Sequence, residues 1–464
     1  MSTRTESDSL GPIEVASDVY YGAQTQRAVE NFPVSGQRFP RRLIEALALI
    51  KWAAARENAE RGDIERKIAD AIVAAAEEVI AGKHDRDFVL DVFQTGSGTS
   101  TNMNANEVIS NRAIELLGGV LGSKSPVHPN DHVNAGQSSN DVIPSALHVA
   151  VLLGLRDDLL PALDKLHASL ARKAGELAAI AKTGRTHLMD ASPVTLGQEL
   201  SGYAQQIARG RHRVRSAIPD LEELPLGGTA VGTGLNAPAG YAAALIARVA
   251  ERTGLELREA ENHFEAQGGR DACVFASGAL RTVAVSLMKI ANDLRWLGSG
   301  PRAGLGEIQL PSLQPGSSIM PGKVNPVIPE MCRQVAAQVM GNDVAVSIGG
   351  ALGDFELNVM VPVIARNLLE SITILASACT LLAERCVDGI VANTAKLAAD
   401  AERNLQIGAA LNTVIGYDRA GKIVKQAIAS DRSIREVAEE EGVLSADELK
   451  RVLDPLRLTK GGVI

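Results

Sequence analysis

The chain has 464 residues, enough for two or three domains around a large core, and its 45% apolar content excludes general disorder. A formal charge of −8 argues against broad affinity for nucleic acid, which needs basic surface to displace counterions. Aromatic residues make up only 3%, and the remaining apolar residues are mostly Ala, Leu, Val and Ile, a balance that favours closely packed helices over an aromatic-rich sheet.

The first residues, MSTRTESDSLGP, show neither the apolar run of a signal peptide nor the Arg-rich face of a transit peptide. No stretch approaches about 18 consecutive apolar residues, so the sequence predicts no membrane partner and a cytoplasmic location. The cysteines Cys273, Cys332, Cys379 and Cys386 form no CxxC pair and no metal-type group with histidine, and read as core thiols.

In chain order, residues 41–81 predict two helices, with Ile64, Ile68, Ile72 and Val79 on one face and Gly82 as a stop. Residues 93–137 are rich in Gly, Ser, Thr, Asn and Pro and predict polar loops broken by short helical runs. Within them, TGSGTSTN (95–102) offers hydroxyls and free N–H groups that can hold a carboxylate without importing charge, or else a Ser/Gly linker ending in a cap. His128 and His132 are four apart, but Pro129 and the lack of a third ligand argue against a metal. Ser138, Ser139 and Asn140 stand before a long helix, where they can cap it or bind an anion.

Helical spacing is strong from His148 to about Lys182, with a kink expected at Pro161. GRTHL (184–188) follows it, and His187 would become a stronger base if paired with a carboxylate such as Glu330. Residues 299–329 carry too much Gly and Pro for a helix and predict a long loop. A second helix ends near Cys386, where Leu368, Ile372, Leu375, Cys379, Leu382 and Cys386 alternate steps of four and three. Residues 397–464 read as a small terminal domain after an N-terminal domain (1–137) and a central helical-bundle domain (138–396). The length of the apolar seams favours a bundle shared between subunits.

The most specific segment is GSSIMPGKVNP (316–326), which sets two hydroxyls, an ammonium and an amide in one Gly- and Pro-shaped loop. It resembles the signature of the fumarase/aspartase superfamily, whose members cleave C–N or C–O bonds and release fumarate. The resemblance extends from YYGAQTQRAVENFP near the start to the C-terminal helices. TGSGTSTNMNANEV, HPNDHVN, QSSND, GRTHL and GGTAVGTGLN are similar to the versions in class II fumarate hydratases. Aspartate ammonia-lyases typically have Gln where this chain has His187 and Thr where it has Ser139, and tend to have Ala at Gly322.

The resemblance implies a mainly α, three-domain subunit with a long central helical bundle, assembled as a homotetramer whose active sites are shared between subunits. It implies reversible hydration of fumarate to (S)-malate, a step of the tricarboxylic acid cycle, by anti addition through an aci-carboxylate intermediate. Ser317 would be the base at C3, and Lys323 and Asn325 would hold the substrate carboxylate. His187, oriented by Glu330, would handle water. Ser97, Gly98, Thr99, Asn102, Ser138, Ser139, Asn140, Thr186, Ser318 and Val324 would position the small dicarboxylate substrate. The scheme needs no metal, flavin or nucleotide. Ser125 stands where some relatives carry Arg, which removes a cation from the accessory anion site of His128, Pro129, Asn130 and Asp131. The Gly-Pro composition of 308–325 also predicts closure over substrate. Two rival readings are an aspartate ammonia-lyase, opposed by His187, and a silent structural relative, opposed by the joint presence of Ser317, Lys323, Asn325, His187 and Glu330.

Overall fold

A computed structural model describes residues 2–462 and shows a mainly helical chain. Its β-structure, among the described residues, is limited to five two-stranded sheets. The chain forms two compact units, Met1–Pro161 with His212–Ala284 and Ala337–Ala376, and Ala162–Arg211 with Val285–Ala336 and Ser377–Ile464.

The first unit opens with an antiparallel hairpin of β1 (Thr3–Asp8) and β2 (Gly11–Ala16), followed by α1 (Ala23–Asn31). Then come α2 (Arg41–Arg61) and α3 (Arg66–Ile80), the two helices expected there. Leu43, Leu47, Ile50 and Ala54 of α2 are buried, and α2 is packed by α3 and by α5 (Ser139–Gly154). Each Leu or Ile side chain contributes about 1.5–3 kcal/mol by leaving water. Gly62, at φ +82°, ends α2 in the left-handed conformation that only glycine adopts without cost.

The polar stretch after Phe93 departs from expectation. Residues Thr99–Leu116 form one long helix, α4, rather than short helical runs between loops, and most of it is buried. Most of its polar groups tolerate burial because they find partners, the Oδ1 atoms of Asn102 and Asn106 being exceptions. Asn104 donates to the Asp87 carbonyl at 3.0 Å and Asn111 to the Tyr20 carbonyl at 2.8 Å. Glu107 accepts from the N–H groups of Gly22, Gln24 and Thr25 and from the Thr25 hydroxyl. Burial, opposed by these bonds, still pushes the Glu107 carboxyl up. Composition alone reads such a segment as loop; paired polar groups make it core.

The next helix begins at Ser139 with Ser138 as its cap, as the position of Ser138–Asn140 before a long helix suggested, and carries Pro144 in its interior. The helical run continues unbroken through a π turn, Leu155–Leu159, into α6 (Leu160–Glu176), so the irregularity expected at Pro161 takes the form of a π turn just before the proline, whose ring and missing N–H disturb the regular ladder.

In the second unit α6 leads into a hairpin of β3 (Ala181–Thr186) and β4 (Met189–Thr195), then α7 (Leu196–Ser216). Thr186 pairs with Met189, and the two residues between them, His187 and Leu188, have φ of 56° and 61°. Two left-handed residues make the tight turn whose twist matches a hairpin. The C-terminal segment has its own cluster, including Ile407, Leu411, Ile423, Val437 and Leu449. Capping boxes at Ser433–Glu436 and Ser445–Glu448 start its last two longer helices.

Three further long helices span Asp271–Leu297, Val327–Gly350 and Val361–Arg385. Leu368, Ile372, Leu375, Cys379 and Leu382, and Cys386 just beyond the last helix, are all buried, which places the seam in a core. By length and composition two segments, Asp271–Leu297 and Val361–Gly389, are apolar enough to cross a membrane, although neither holds an unbroken apolar run. In the chain, half and 67% of their most apolar windows are buried. All four cysteines are free and buried, and burial pushes the Cys379 and Cys386 thiols up to about 12.

Candidate active site

In the first unit four of the motifs converge. Gly96 lies so close to the start of the 361–385 helix that a Cβ would sit 1.9 Å from the Val359 carbonyl oxygen, and its own carbonyl accepts the Val361 N–H at 3.2 Å. Gly98 has φ +74°, and a Cβ there would meet Ile143 of α5 at 2.8 Å. Only glycine allows the loop to lie flat at these points. The loop hydroxyls of Ser97 and Thr99 share a hydrogen bond of 2.8 Å. Asn102, fully buried one turn into α4, donates to the Ser139 hydroxyl at 2.9 Å.

Ser138 caps α5: its hydroxyl accepts the Asn140 N–H at 3.2 Å, while Asp141 accepts the Ser138 N–H at 2.9 Å. The other Asp141 oxygen accepts the N–H groups of Gly227 and Thr229, tying QSSND to GGTAVGTGLN. Burial raises the Asp141 pKa against these bonds and the charge of Lys51. Asn140 donates to the Ala230 carbonyl at 2.9 Å.

Sequence reasoning missed what lies beneath. Lys51 of α2 is fully buried and donates to Asn134 Oδ1 and Gln137 Oε1, both at 2.9 Å. Asn134 Oδ1 also accepts from Asn102 at 3.1 Å and from Asn106 at 3.2 Å. The sequence signal was a single cation in the apolar run LALIKWAAA, where a solvated face would alternate.

The HPND segment forms a π turn, Pro129–Val133, capped by His128, whose Nδ1 accepts the N–H groups of Asn130 and Asp131 at 3.2 Å. His132 Nδ1 accepts the His128 N–H at 2.8 Å. Both imidazoles thus serve the turn's backbone. Pro129 is buried; Asn130 and Asp131 are exposed.

In the second unit the 316–326 segment folds on itself. The Gly316 N–H donates to the Lys323 carbonyl at 2.7 Å, and Asn325 donates to the Gly316 carbonyl at 2.8 Å. A Cβ at Gly316 would lie 2.7 Å from the Lys323 oxygen. Inside this closure the Ser317 hydroxyl accepts the N–H groups of Ile319 at 3.2 Å and Met320 at 3.0 Å. Two N–H groups aimed at one oxygen lower the cost of negative charge on it. Ser318, Lys323 and Val324 are exposed, and Glu330 lies in the first turn of the 327–350 helix.

His187 is exposed at the tip of the β3–β4 hairpin, beside exposed Thr186. Among the described residues, the side chains of His187, Lys323 and Glu330 make no hydrogen bond within the chain, so His187 and Glu330 are not paired in a single subunit. Behind the hairpin is a second feature the sequence did not reveal. Glu307, fully buried, faces Lys182 at 3.0 Å and Arg185 at 2.7 Å, and Lys182 also reaches Glu199 at 3.0 Å. This cluster fixes the base of the strand that carries Thr186 and His187.

A separate cavity of about 230 Å³ in the first unit, lined by His148, Glu223, Glu265 and Arg270 among others, contains none of the expected site residues.

Comparison with known proteins agrees with these motifs. The family described as Lyase matches residues 11–341, and that described as Fumarase C C-terminus matches 408–460. The chain is 54% identical to a fumarate hydratase class II of Mycobacterium tuberculosis (strain CDC 1551 / Oshkosh), covering 98% of this chain and 96% of the relative. It is 53% identical to a fumarate hydratase class II of Thermosynechococcus vestitus, over 97% and 96% of the two chains. The crystal structure of a recombinant class II fumarase from Schistosoma mansoni superposes with a TM-score of 0.95 at 41% identity, covering 99% of each chain. The chain belongs to the class II fumarate hydratase family.

Proposed function

We propose that this protein is a hydro-lyase that interconverts fumarate and (S)-malate by anti addition and elimination of water. The C3 proton of malate is weakly acidic because the neighbouring carboxylate is already negative. Its removal places a second charge on that group, so a base at C3 and fixed positive potential at the carboxylate are both required.

Ser317, as alkoxide, takes the C3 proton, and the electron pair moves into the carboxylate to give the aci-carboxylate. Lys323 and Asn325 stabilise that charge, each preorganised donor contributing on the order of 3 kcal/mol. The C2–O bond then breaks, and the hydroxyl leaves as water with a proton from the His187 imidazolium. Ser97, Gly98, Thr99, Asn102, Ser138, Ser139, Asn140, Thr186, Ser318 and Val324 orient the two carboxylates. The accessory anion site at His128, Pro129, Asn130 and Asp131 lacks the cation that Arg would supply at Ser125. Closure of 308–325 excludes water during turnover.

The observation that carries this reading is the Ser317 hydroxyl held by two loop N–H groups, in the same closed turn as Lys323 and Asn325. The unpaired His187, Lys323 and Glu330 fit a site completed by neighbouring subunits, with Glu330 orienting His187 across a subunit boundary. Exposed apolar side chains on the long helices, Phe275, Val285, Val344 and Ile348 among them, fit burial between copies in a homotetramer. Four buried free thiols suit the reducing cytoplasm.

The test is to follow fumarate absorbance with malate and with aspartate as substrates. Malate is expected to give signal and aspartate none; the reverse outcome identifies an ammonia-lyase instead.

A further inference from the structure

Lys51 is 0% exposed, and no carboxylate among the described residues lies within ion-pair distance of its ammonium. An ammonium can only donate, so its two contacts force the amide oxygens of Asn134 and Gln137 to face it. The amino groups of both amides then point away. That of Asn134 donates to the Gln137 carbonyl at 3.2 Å, and that of Gln137 to the carbonyls of Val133 at 3.1 Å and Ala135 at 3.2 Å.

The fixed Asn134 oxygen next sets Asn102. One Asn102 N–H goes to that oxygen at 3.1 Å, and its amino group also donates to the Ser139 hydroxyl at 2.9 Å. A lone pair of the Ser139 oxygen is therefore occupied, and the Ser139 O–H is left to donate elsewhere. Ser139 stands at the first position of α5, where free backbone N–H groups also favour an anion.

We propose that Lys51 is a positioning residue for substrate: through Asn134 and Asn102 it presents the Ser139 hydroxyl as a hydrogen-bond donor to a carboxylate of the bound dicarboxylate. The proposal rests on the reading of Ser139 as a substrate contact. Stability alone does not favour a cation here. Burial holds the ammonium down at about 7, against the opposing charge of Asp141, and an apolar side chain of similar length would fill the space without that cost.

The experiment compares steady-state kinetics of the full-length assembled protein with those of Lys51→Met, Asn134→Ala and Ser139→Ala. Loss of one oriented hydrogen bond to substrate is expected to raise KM for both fumarate and malate about tenfold in each variant, with kcat within about threefold. The Lys51→Met effect is expected to vanish in an Asn102→Ala background, because both act through one amide. A merely structural Lys51 would lower the active fraction, and so kcat, with KM unmoved. KM within twofold of the parent in folded Lys51→Met, or effects that add fully to Asn102→Ala, overturns the proposal. If Lys51→Met does not assemble, Asn134→Ala, which cuts the same connection and keeps the cation, decides. Unchanged KM in Ser139→Ala defeats the assignment of Ser139 itself, whereas raised KM there with normal Lys51→Met and Asn134→Ala defeats only the role of Lys51.

Discussion

Gly316 and Gly322 bound the same turn but are glycine for different reasons. Gly316 has no room for a Cβ, because the Lys323 carbonyl and Asn325 are in the way. Gly322 has open space around it and is constrained only by φ +78°. Gly322→Ala should therefore cost about 1 kcal/mol of local strain and leave turnover within severalfold. Gly316→Ala should open the ring that holds Ser317 and lower kcat at least tenfold with the melting temperature little changed; a normal kcat would show that the turn does not organise the base. Ser317→Ala should lower turnover at least about a hundredfold, the usual size for losing a base, and near-normal turnover would remove Ser317 from that role. This turn was legible in the sequence because its geometry is written in its own residues. The Lys51 network was not, because Lys51 and Asn134 are far apart in the chain and meet only through the packing of α2.

At the scale of elements, apolar periodicity located α3 and the 361–385 helix, each with a buried stripe, while α2 was legible as an apolar run that is buried on every side over 46–55. Periodicity failed at α4, where polar side chains bonded to distant partners replace the stripe. Leu47→Ala in α2 should cost about 2–5 kcal/mol, as expected for a filled core position, measurable by denaturant unfolding. The acid limit of the fold should reside partly in α5. Burial, with a smaller effect of the Arg270 charge, holds the His148 imidazole down at about 3, and its Nδ1 donates to the Glu223 carbonyl at 2.9 Å. Between pH 6.5 and 3 the unfolded chain takes up a proton that the native His148 refuses. Stability accordingly falls as pH drops through that window, by at most about 1.4 kcal/mol per unit. His148→Asn should flatten the decline of melting temperature between pH 6.5 and 4.5; an unaltered slope would assign the acid sensitivity to other groups.

For the whole molecule, the proposed sharing of sites makes a prediction that no single chain could satisfy. His187→Asn and Ser317→Ala, each nearly inactive alone, should recover measurable turnover when co-expressed, since mixed tetramers contain some sites with both native side chains. Absence of recovery in verified mixed assemblies would mean that one subunit supplies both. Replacing Val344 and Ile348 together by Glu should shift the sedimenting species below four chains and abolish turnover with it. The hairpin that carries His187 adds a constraint of another kind. Its turn contains only two residues, both left-handed, so the reach of the imidazole is set in whole backbone steps. One inserted residue would carry the ring about 3.4 Å onward and rotate it to the opposite side of the strand. Specificity at this tip can therefore be retuned by exchanging a side chain, whereas any change in the arm's length would take the ring out of range of the bond it is meant to break.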